Sequence, residues 1–592
     1  LDSQLRIAKF MSNLYKYLKK YKKQFILGPT FKLFEAIFEL IVPVVMAKII
    51  DVGIAEKDTK YILVMGGVLV LLAVVGLASA LVCQYLATVC SQGFGTEVRS
   101  VLFDHINSLS MNEMDRFGVS SMVTRFNSDI NQMQLGVAML IRLAIRAPFL
   151  VIGATVSAII LKPSISWIFL VTAPLVAVVL YFIMSKTIPV YTKNQAKLDK
   201  ITSIARENFS GMRVVRAFTE QEREQERFEK STEQYARSVI AIGKVSALLN
   251  PLTFLIINLA MVAILYFGGT KINVKSMTQG ELIAFINYMT QISLALVVVA
   301  NMVVLFSKSY ASAKRVSELL ATEPAVTDEG NTEVTPVEGA PAISFNNVSF
   351  RYNNGGLALK NLSVDIMRGQ TVGIIGGTGS GKSTIINLLP RFYDISQGEL
   401  KIDGVDIKKY PFKQLRGKIG LVPQQSLLFA GTIRSNMLWQ KPDATDEELQ
   451  EALKIAQAYD FVMQKKDRLD CVVQQKGKNF SGGQRQRLCI ARALVGKPEI
   501  LILDDSMSAL DFATDLALRR AINKSLPADT TKIIISQRAT SIKSADIIIV
   551  MDKGEPVGIG KHAQLLKSCE VYREIFESQQ KAPHEKEVKN EK

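Results

Sequence analysis

Six apolar stretches, each near the length needed to cross a bilayer, lie in the first half of a 592-residue chain. They run approximately over 25–50, 61–86, 137–161, 167–184, 248–268 and 282–306. A hydrocarbon core about 30 Å thick takes about 20 helical residues at about 1.5 Å each, so every stretch predicts a transmembrane helix. Composition points the same way. Hydrophobic residues are 48%, charged residues 21% and mean hydropathy is +0.20, which excludes disordered and fibrous classes and fits a soluble enzyme poorly. The first stretch holds Lys32, Glu35 and Glu39 and is too long for a cleaved signal peptide. The cysteines at 83, 90, 471, 489 and 569 show no CxxC spacing, so neither a disulfide framework nor a zinc site is indicated.

The 71 Lys and Arg against 54 Asp and Glu leave a charge of +17, which suits nucleic acid or anionic lipid. Position decides between them. Arg6, Lys9, Lys16, Lys19, Lys20, Lys22 and Lys23 precede the first stretch against one acid, Asp2, which places the amino terminus in the cytoplasm. Six spans return the carboxy terminus to the same side. The expected molecule is a multi-pass protein of a prokaryotic-type cell membrane, with lipid as a partner and no nucleic acid. The inside connections 87–136 and 185–247 read as helical arms, and GMRVVRAF at Gly211–Phe218 falls where the second arm would turn, as a docking segment. Charges inside spans mark function by default, which makes Glu35, Glu39, Arg142 and Arg146 candidates for a substrate pathway, with helix seating as the alternative. Met and aromatic residues of the spans, Phe169, Tyr288 and Met289 among them, suit either an adaptable binding surface or plain helix packing.

The spans end at 306, and a Thr, Glu, Pro and Gly-rich stretch marks 307–341 as a linker. A second domain follows over 342–578, with 579–592 as a polar tail. ISFNNVSFRY reads as an edge strand, and TVGIIG, EILILDD, TKIIISQ and DIIIVM read as short buried strands between helical patterns, an α/β arrangement. TVGIIG runs into Gly376, Gly377, Thr378, Gly379, Ser380, Gly381, Lys382 and Ser383, which match GxxxxGK[ST] between a strand and a helix. Glycines there let backbone amides approach phosphates, Lys382 offers charge to the outer phosphates and Ser383 a hydroxyl to Mg²⁺. Asp504 ends a run of four apolar residues, the position where phosphoryl-transfer sites hold Mg²⁺.

Phe480, Ser481, Gly482, Gly483 and Gln484, followed by RQRLCIARAL, resemble the signature of the ATP-binding cassette superfamily, and the resemblance extends over the whole chain. It implies an exporter-type half-transporter: an α-helical membrane domain of six transmembrane helices with long cytoplasmic extensions, fused to an α/β P-loop nucleotide-binding domain. It further implies ATP and Mg²⁺ as cofactors. Tyr352 would stack on adenine; Gly376 through Ser383 and Thr384 would surround the nucleotide; Ser383, Gln424 and Asp504 would hold the metal. Ser481, Gly482, Gly483 and Gln484 would act on the ATP of a second subunit, and Ser508 and Asp511 would belong to a loop at the dimer seam. The activity implied is ATP-driven export of hydrophobic or amphipathic small molecules, drug-like or lipid-like, by alternating access.

Two catalytic positions depart from that pattern. Asp505 stands where efficient members carry Glu, and Gln537 where they carry His. Asp is one methylene, about 1.5 Å, shorter, and a misplacement of about 1 Å costs on the order of 100-fold. Gln can hydrogen-bond a phosphate but cannot shuttle a proton. The expectation is therefore a chain that binds ATP, hydrolyses it slowly, and lends its intact signature to a different half-transporter in a heterodimer. The alternatives are an ATP-gated channel or regulatory cassette protein, and, disfavoured by the spans, a cassette ATPase acting on nucleic acid.

Overall fold

The computed structural model describes residues 14–328, 333–353, 355–507 and 510–587. The chain forms two compact units: one holds the residues up to Asn107 with Ser120–Thr322, the other Ser108–Val119 with the residues from Glu323 onward.

The first unit is helical. Its longest elements are Thr59–Ser108, Pro163–Ser210 and Gln279–Leu320, of 50, 48 and 42 residues. Thr59–Ser108 contains no proline, so nothing in its backbone chemistry stops the helix where the apolar run ends, and span and arm are one rod. The same continuity corrects the expected linker start: Gln279–Leu320 continues helical well past residue 306. At Gly211 the second arm turns, and Met212–Ala217 forms a short helix with no buried residue before Gln221–Ser246 begins.

Among the described residues, five helices are long and apolar enough to cross a membrane, against the six expected. The exception is Lys22–Lys48, whose 27 residues suffice in length but include Lys32, Glu35, Glu39 and Lys48. Those mid-helix charges are paired. Lys32 Nζ lies 2.6 Å from Glu35 Oε2, and Arg146 Nη2 lies 2.7 Å from Glu39 Oε2. The third apolar stretch is interrupted by a π-helical turn at Leu140–Ala144 before Arg146–Leu161 resumes. Phe169, Tyr288 and Met289 are fully buried, with the Phe169 ring 5.5 Å from Phe285, so these three pack helices rather than line an adaptable surface. The buried Tyr288 hydroxyl donates to the Leu40 carbonyl at 2.8 Å, which satisfies it in an apolar interior. Leu63, Val70, Leu71, Leu77 and Leu81 are each more than half exposed, a continuous apolar face that water would not tolerate.

The second unit is built on a six-stranded sheet in the order Glu555–Gly560, Ile547–Asp552, Thr371–Gly376, Thr531–Ile535, Ile500–Asp504, Ile419–Val422. All neighbours are parallel except the hairpin at the Glu555–Gly560 edge. Apolar runs such as Ile500–Leu503 are buried throughout, as strands covered on both faces must be. A second, antiparallel sheet places Ile343–Arg351 between Leu357–Ile366 and Gln397–Ile402. The expected edge strand is thus an interior one. Its register breaks between Phe345 and Val348 against one neighbour and between Asn346 and Ser349 against the other, which blurs the alternation an interior strand would otherwise show. Residues from 579 to Glu587, expected as a polar tail, continue the helix Glu570–Glu587, whose Tyr572, Ile575 and Phe576 pack on Ile548 and Val550.

Candidate functional site

Five parallel strands deliver their carboxyl ends to one edge of the large sheet, where ligands of open α/β folds bind. Register pairs Ile535 with Ile374 on one side and Asp504 on the other, and Leu503 with Val422. The loop after Thr371–Gly376, Asp504, Gln537 and Gln424 therefore emerge from neighbouring strands, although more than 160 residues separate them in sequence.

The phosphate loop is held open by backbone geometry. Gly381, at the start of Lys382–Leu388, has φ +98°, and a Cβ there would sit 2.6 Å from the Ala358 carbonyl. Only glycine meets both demands. Gly377, Thr378, Gly379 and Ser383 are exposed, while Ser380, Lys382 and Thr384 are buried. Lys382 Nζ donates to the carbonyls of Gly376 and Gly377 at 2.9 and 2.6 Å. Burial lowers its pKa, opposed by the negative charges of Asp504 and Asp505. Burial likewise pushes the Asp504 carboxyl up to about 6, with Asp505 adding to the rise and Lys382 opposing it. A buried carboxylate crowded by a second one, together with the exposed Ser383 hydroxyl of the same strand-end edge, supplies hard oxygens of the kind that suit Mg²⁺.

Asp505 lies just past the strand with φ +43°, its amide donating to the Ile535 carbonyl at 3.0 Å. Burial raises its pKa, against the nearby positive charges of Arg538 and Lys382. Gln537 Nε2 donates to Asp505 Oδ2 at 3.4 Å, so the two departures from the catalytic pattern touch.

Tyr352 donates from its hydroxyl to Thr384 Oγ1 at 3.3 Å, which ties the ring to the helix behind the phosphate loop. Its ring stands edge to face with Phe350 at 4.7 Å and Tyr393 at 5.1 Å. Tyr393 in turn donates to Asp115 Oδ2 at 2.6 Å; Asp115 lies on Met111–Phe117, a short helix begun by a Ser110 and Glu113 capping box. Sequence pattern gave no sign of this link, because Asp115 belongs to a stretch with no motif of its own.

The signature stands apart from the phosphate loop. Ser481 caps the 13-residue helix Gly482–Leu494, accepting from the Gln484 amide at 3.3 Å, while Gln484 Oε1 accepts from the Ser481 amide at 3.1 Å. Ser481 and Gly482 are exposed, and a Cβ on Gly482 would meet nothing within 4 Å. The helix packs through Leu488, Cys489 and Ile490 into one apolar cluster, whereas Ile385 and Ile386 behind the phosphate loop belong to another. Asp511 caps Phe512–Ser525 through the Thr514 amide at 3.0 Å, and that bond with the Thr514 hydroxyl holds its carboxyl below the usual range. Ser508 lies outside the described residues.

In the first unit, Arg146 joins Glu39 and approaches Glu35 at 3.9 Å, whereas Arg142 sits on the π-helical turn and is not joined to either glutamate. Glu35, Glu39 and Arg146 edge a groove of about 350 Å³ whose other wall includes Leu72 and Leu77.

These features define a class: a membrane protein whose helical spans are fused to a P-loop nucleotide-binding unit carrying a cassette signature. Family models agree, with the ABC transporter transmembrane region matched over residues 25–319 and the ABC transporter family over 359–508. The chain is 35% identical over 571 residues to an uncharacterized ABC transporter ATP-binding protein of Mycobacterium tuberculosis, covering 96% of this chain and 97% of that one. It is 28% identical over 569 residues to an ATP-dependent lipid A-core flippase of Vibrio vulnificus, covering 96% and 97%. A solved bacterial Atm1-family ABC exporter with ATP bound shares its fold, with a TM-score of 0.75 at 24% identity over 96% of this chain and 99% of that one.

The chain belongs to the ABC transporter family. It is an integral membrane protein with the exporter fold, and its ATP-binding domain makes it an ATPase coupled to transport.

Proposed function

We propose that this chain is the weakly hydrolysing half of a heterodimeric exporter for hydrophobic or amphipathic small molecules. The carrying observation is the contact between Asp505 and Gln537. The residue placed to accept a proton from attacking water is a short carboxylate, and the residue facing it is an amide that donates to that carboxylate and takes no proton.

Tyr352 stacks on the base, the loop from Gly376 to Ser383 and Thr384 surround the phosphates, and Lys382 faces the outer phosphate charge. Ser383, Asp504 and Gln424 are the residues to hold Mg²⁺, which when bound supplies charge neutralisation at the β- and γ-phosphates. Ser481 through Gln484 face the ATP of a second, different half-transporter, and Asp511 belongs to the dimer seam. Exposed Ser481 and Gly482 at a helix start support this reading, since they leave room for an anion from outside the chain. Closure around two nucleotides draws the subunits together and turns the spans outward; hydrolysis at the partner's site releases them.

For cargo, the groove edged by the Arg146 and Glu39 pair supports an amphiphile with a polar head and an apolar body, and the flippase relative acts on a lipid. The test is ATPase activity of this chain purified alone and after reconstitution with a partner captured from its native membrane. The proposal predicts slow turnover alone and fast turnover in the complex; equal rates overturn it. A channel or receptor role would instead give conductance without uphill movement of cargo.

A further inference from the structure

The helix Glu570–Glu587 buries Tyr572 completely and packs Ile575 and Phe576 into the same cluster. Steps of three, four and seven residues share a helix face, so Gln579 continues that apolar face. A glutamine is an odd residue to place there unless its polar atoms are used. Both are. Gln579 Nε2 donates to the Gln537 carbonyl at 2.7 Å, and Gln579 Oε1 accepts from the Ala539 amide at 2.8 Å.

These two peptide groups flank Arg538 in the loop between Thr531–Ile535 and Ala539–Ile542. On its sheet side the loop is fixed by the Ser536 amide on the Ile374 carbonyl at 3.2 Å and the Arg538 amide on Ser536 Oγ at 3.0 Å. One carboxamide closes the other side with two well-formed bonds, which sets the backbone from which residue 537 projects toward Asp505.

We propose that Gln579 is a positioning residue: the carboxy-terminal helix uses it to hold the loop 536–538, and so the side chain at 537, in register with the γ-phosphate. This rests on the reading that residue 537 faces the phosphate of this chain's own ATP. The grip is on backbone, so it operates on whatever side chain stands at 537.

The test uses full-length protein carrying Asp505→Glu and Gln537→His, in which fast hydrolysis is expected, with and without Gln579→Met, a replacement of similar length that forms neither bond. The expected result is a fall in kcat of about tenfold with KM for ATP unchanged, because a loosened loop misplaces the residue without removing a nucleotide contact. Amide hydrogen exchange over 536–540 should quicken in the Gln579→Met variant of the natural sequence as well, whether or not ATP turns over. Unchanged exchange overturns the proposal, as does an unchanged kcat in a doubly substituted background that hydrolyses quickly. A background that gains no activity while exchange still responds counts against the slow-site reading and leaves Gln579's grip supported.

Discussion

Arg146 Nη2 and Glu39 Oε2 meet at 2.7 Å between two helices of the membrane unit, while Glu35 one turn away is held by Lys32. The first helix can thus carry carboxylates along an apolar stretch because each has a cation beside it. Removing one partner leaves the other uncompensated where water is scarce. Arg146→Ala should therefore destabilise the protein by about 1–3 kcal/mol, because Glu39 is only part-buried. Arg146→Gln combined with Glu39→Gln should cost far less, because no lone charge remains. Thermal unfolding in detergent compares the two, and equal losses would refute the pairing.

Tyr393 lies at the centre of a second link, with its ring on Tyr352 and its hydroxyl on Asp115. Tyr393→Phe keeps the ring contacts and loses only the charged hydrogen bond, so about 1.5–3 kcal/mol of stability should disappear. Asp115→Asn removes the same charge-assisted bond. Combining the two should add little to either alone, and denaturant unfolding of the three variants reads the coupling. Additive losses would show that the residues act separately.

His562 contacts Tyr572 through Nδ1 at 2.8 Å, and burial, with Lys543 nearby, lowers its pKa below the usual 6.5. A histidine whose folded pKa is depressed favours the folded state while neutral. Its contribution is present above pH 6.5 and declines as pH falls through the lowered value. His562→Phe, which packs without titrating, should flatten the fall in thermal midpoint between neutral and mildly acid pH. An unchanged pH slope would show that other groups carry it.

Much of the site was legible because its chemistry is local. Gly376 to Ser383 read as a phosphate loop from their spacing together with the strand before and the helix after, and Asp504 gains meaning only from standing beside that loop. The strand order that gathers them is not local, since Thr531–Ile535 inserts between two strands that precede it in the chain. Gln579 and Asp115 were illegible for a related reason: each is polar on an otherwise ordinary helix and gains meaning only from what tertiary packing brings opposite. The expected span count differs from the structure at Lys22–Lys48, where a long apolar stretch is interrupted by charged residues that a reading by length passes over. The helical end of the chain was missed because its composition is polar while only one face, Tyr572, Ile575 and Phe576, needs burial.

The proposed division of labour between two unlike ATP sites rests on Asp505 and Gln537, and restoring both is its most direct trial. Steady-state ATPase of the purified chain should rise on the order of 100-fold in the Asp505→Glu, Gln537→His double variant, with ATP affinity little changed. A wild-type chain that already hydrolyses as fast as the double variant would contradict the account.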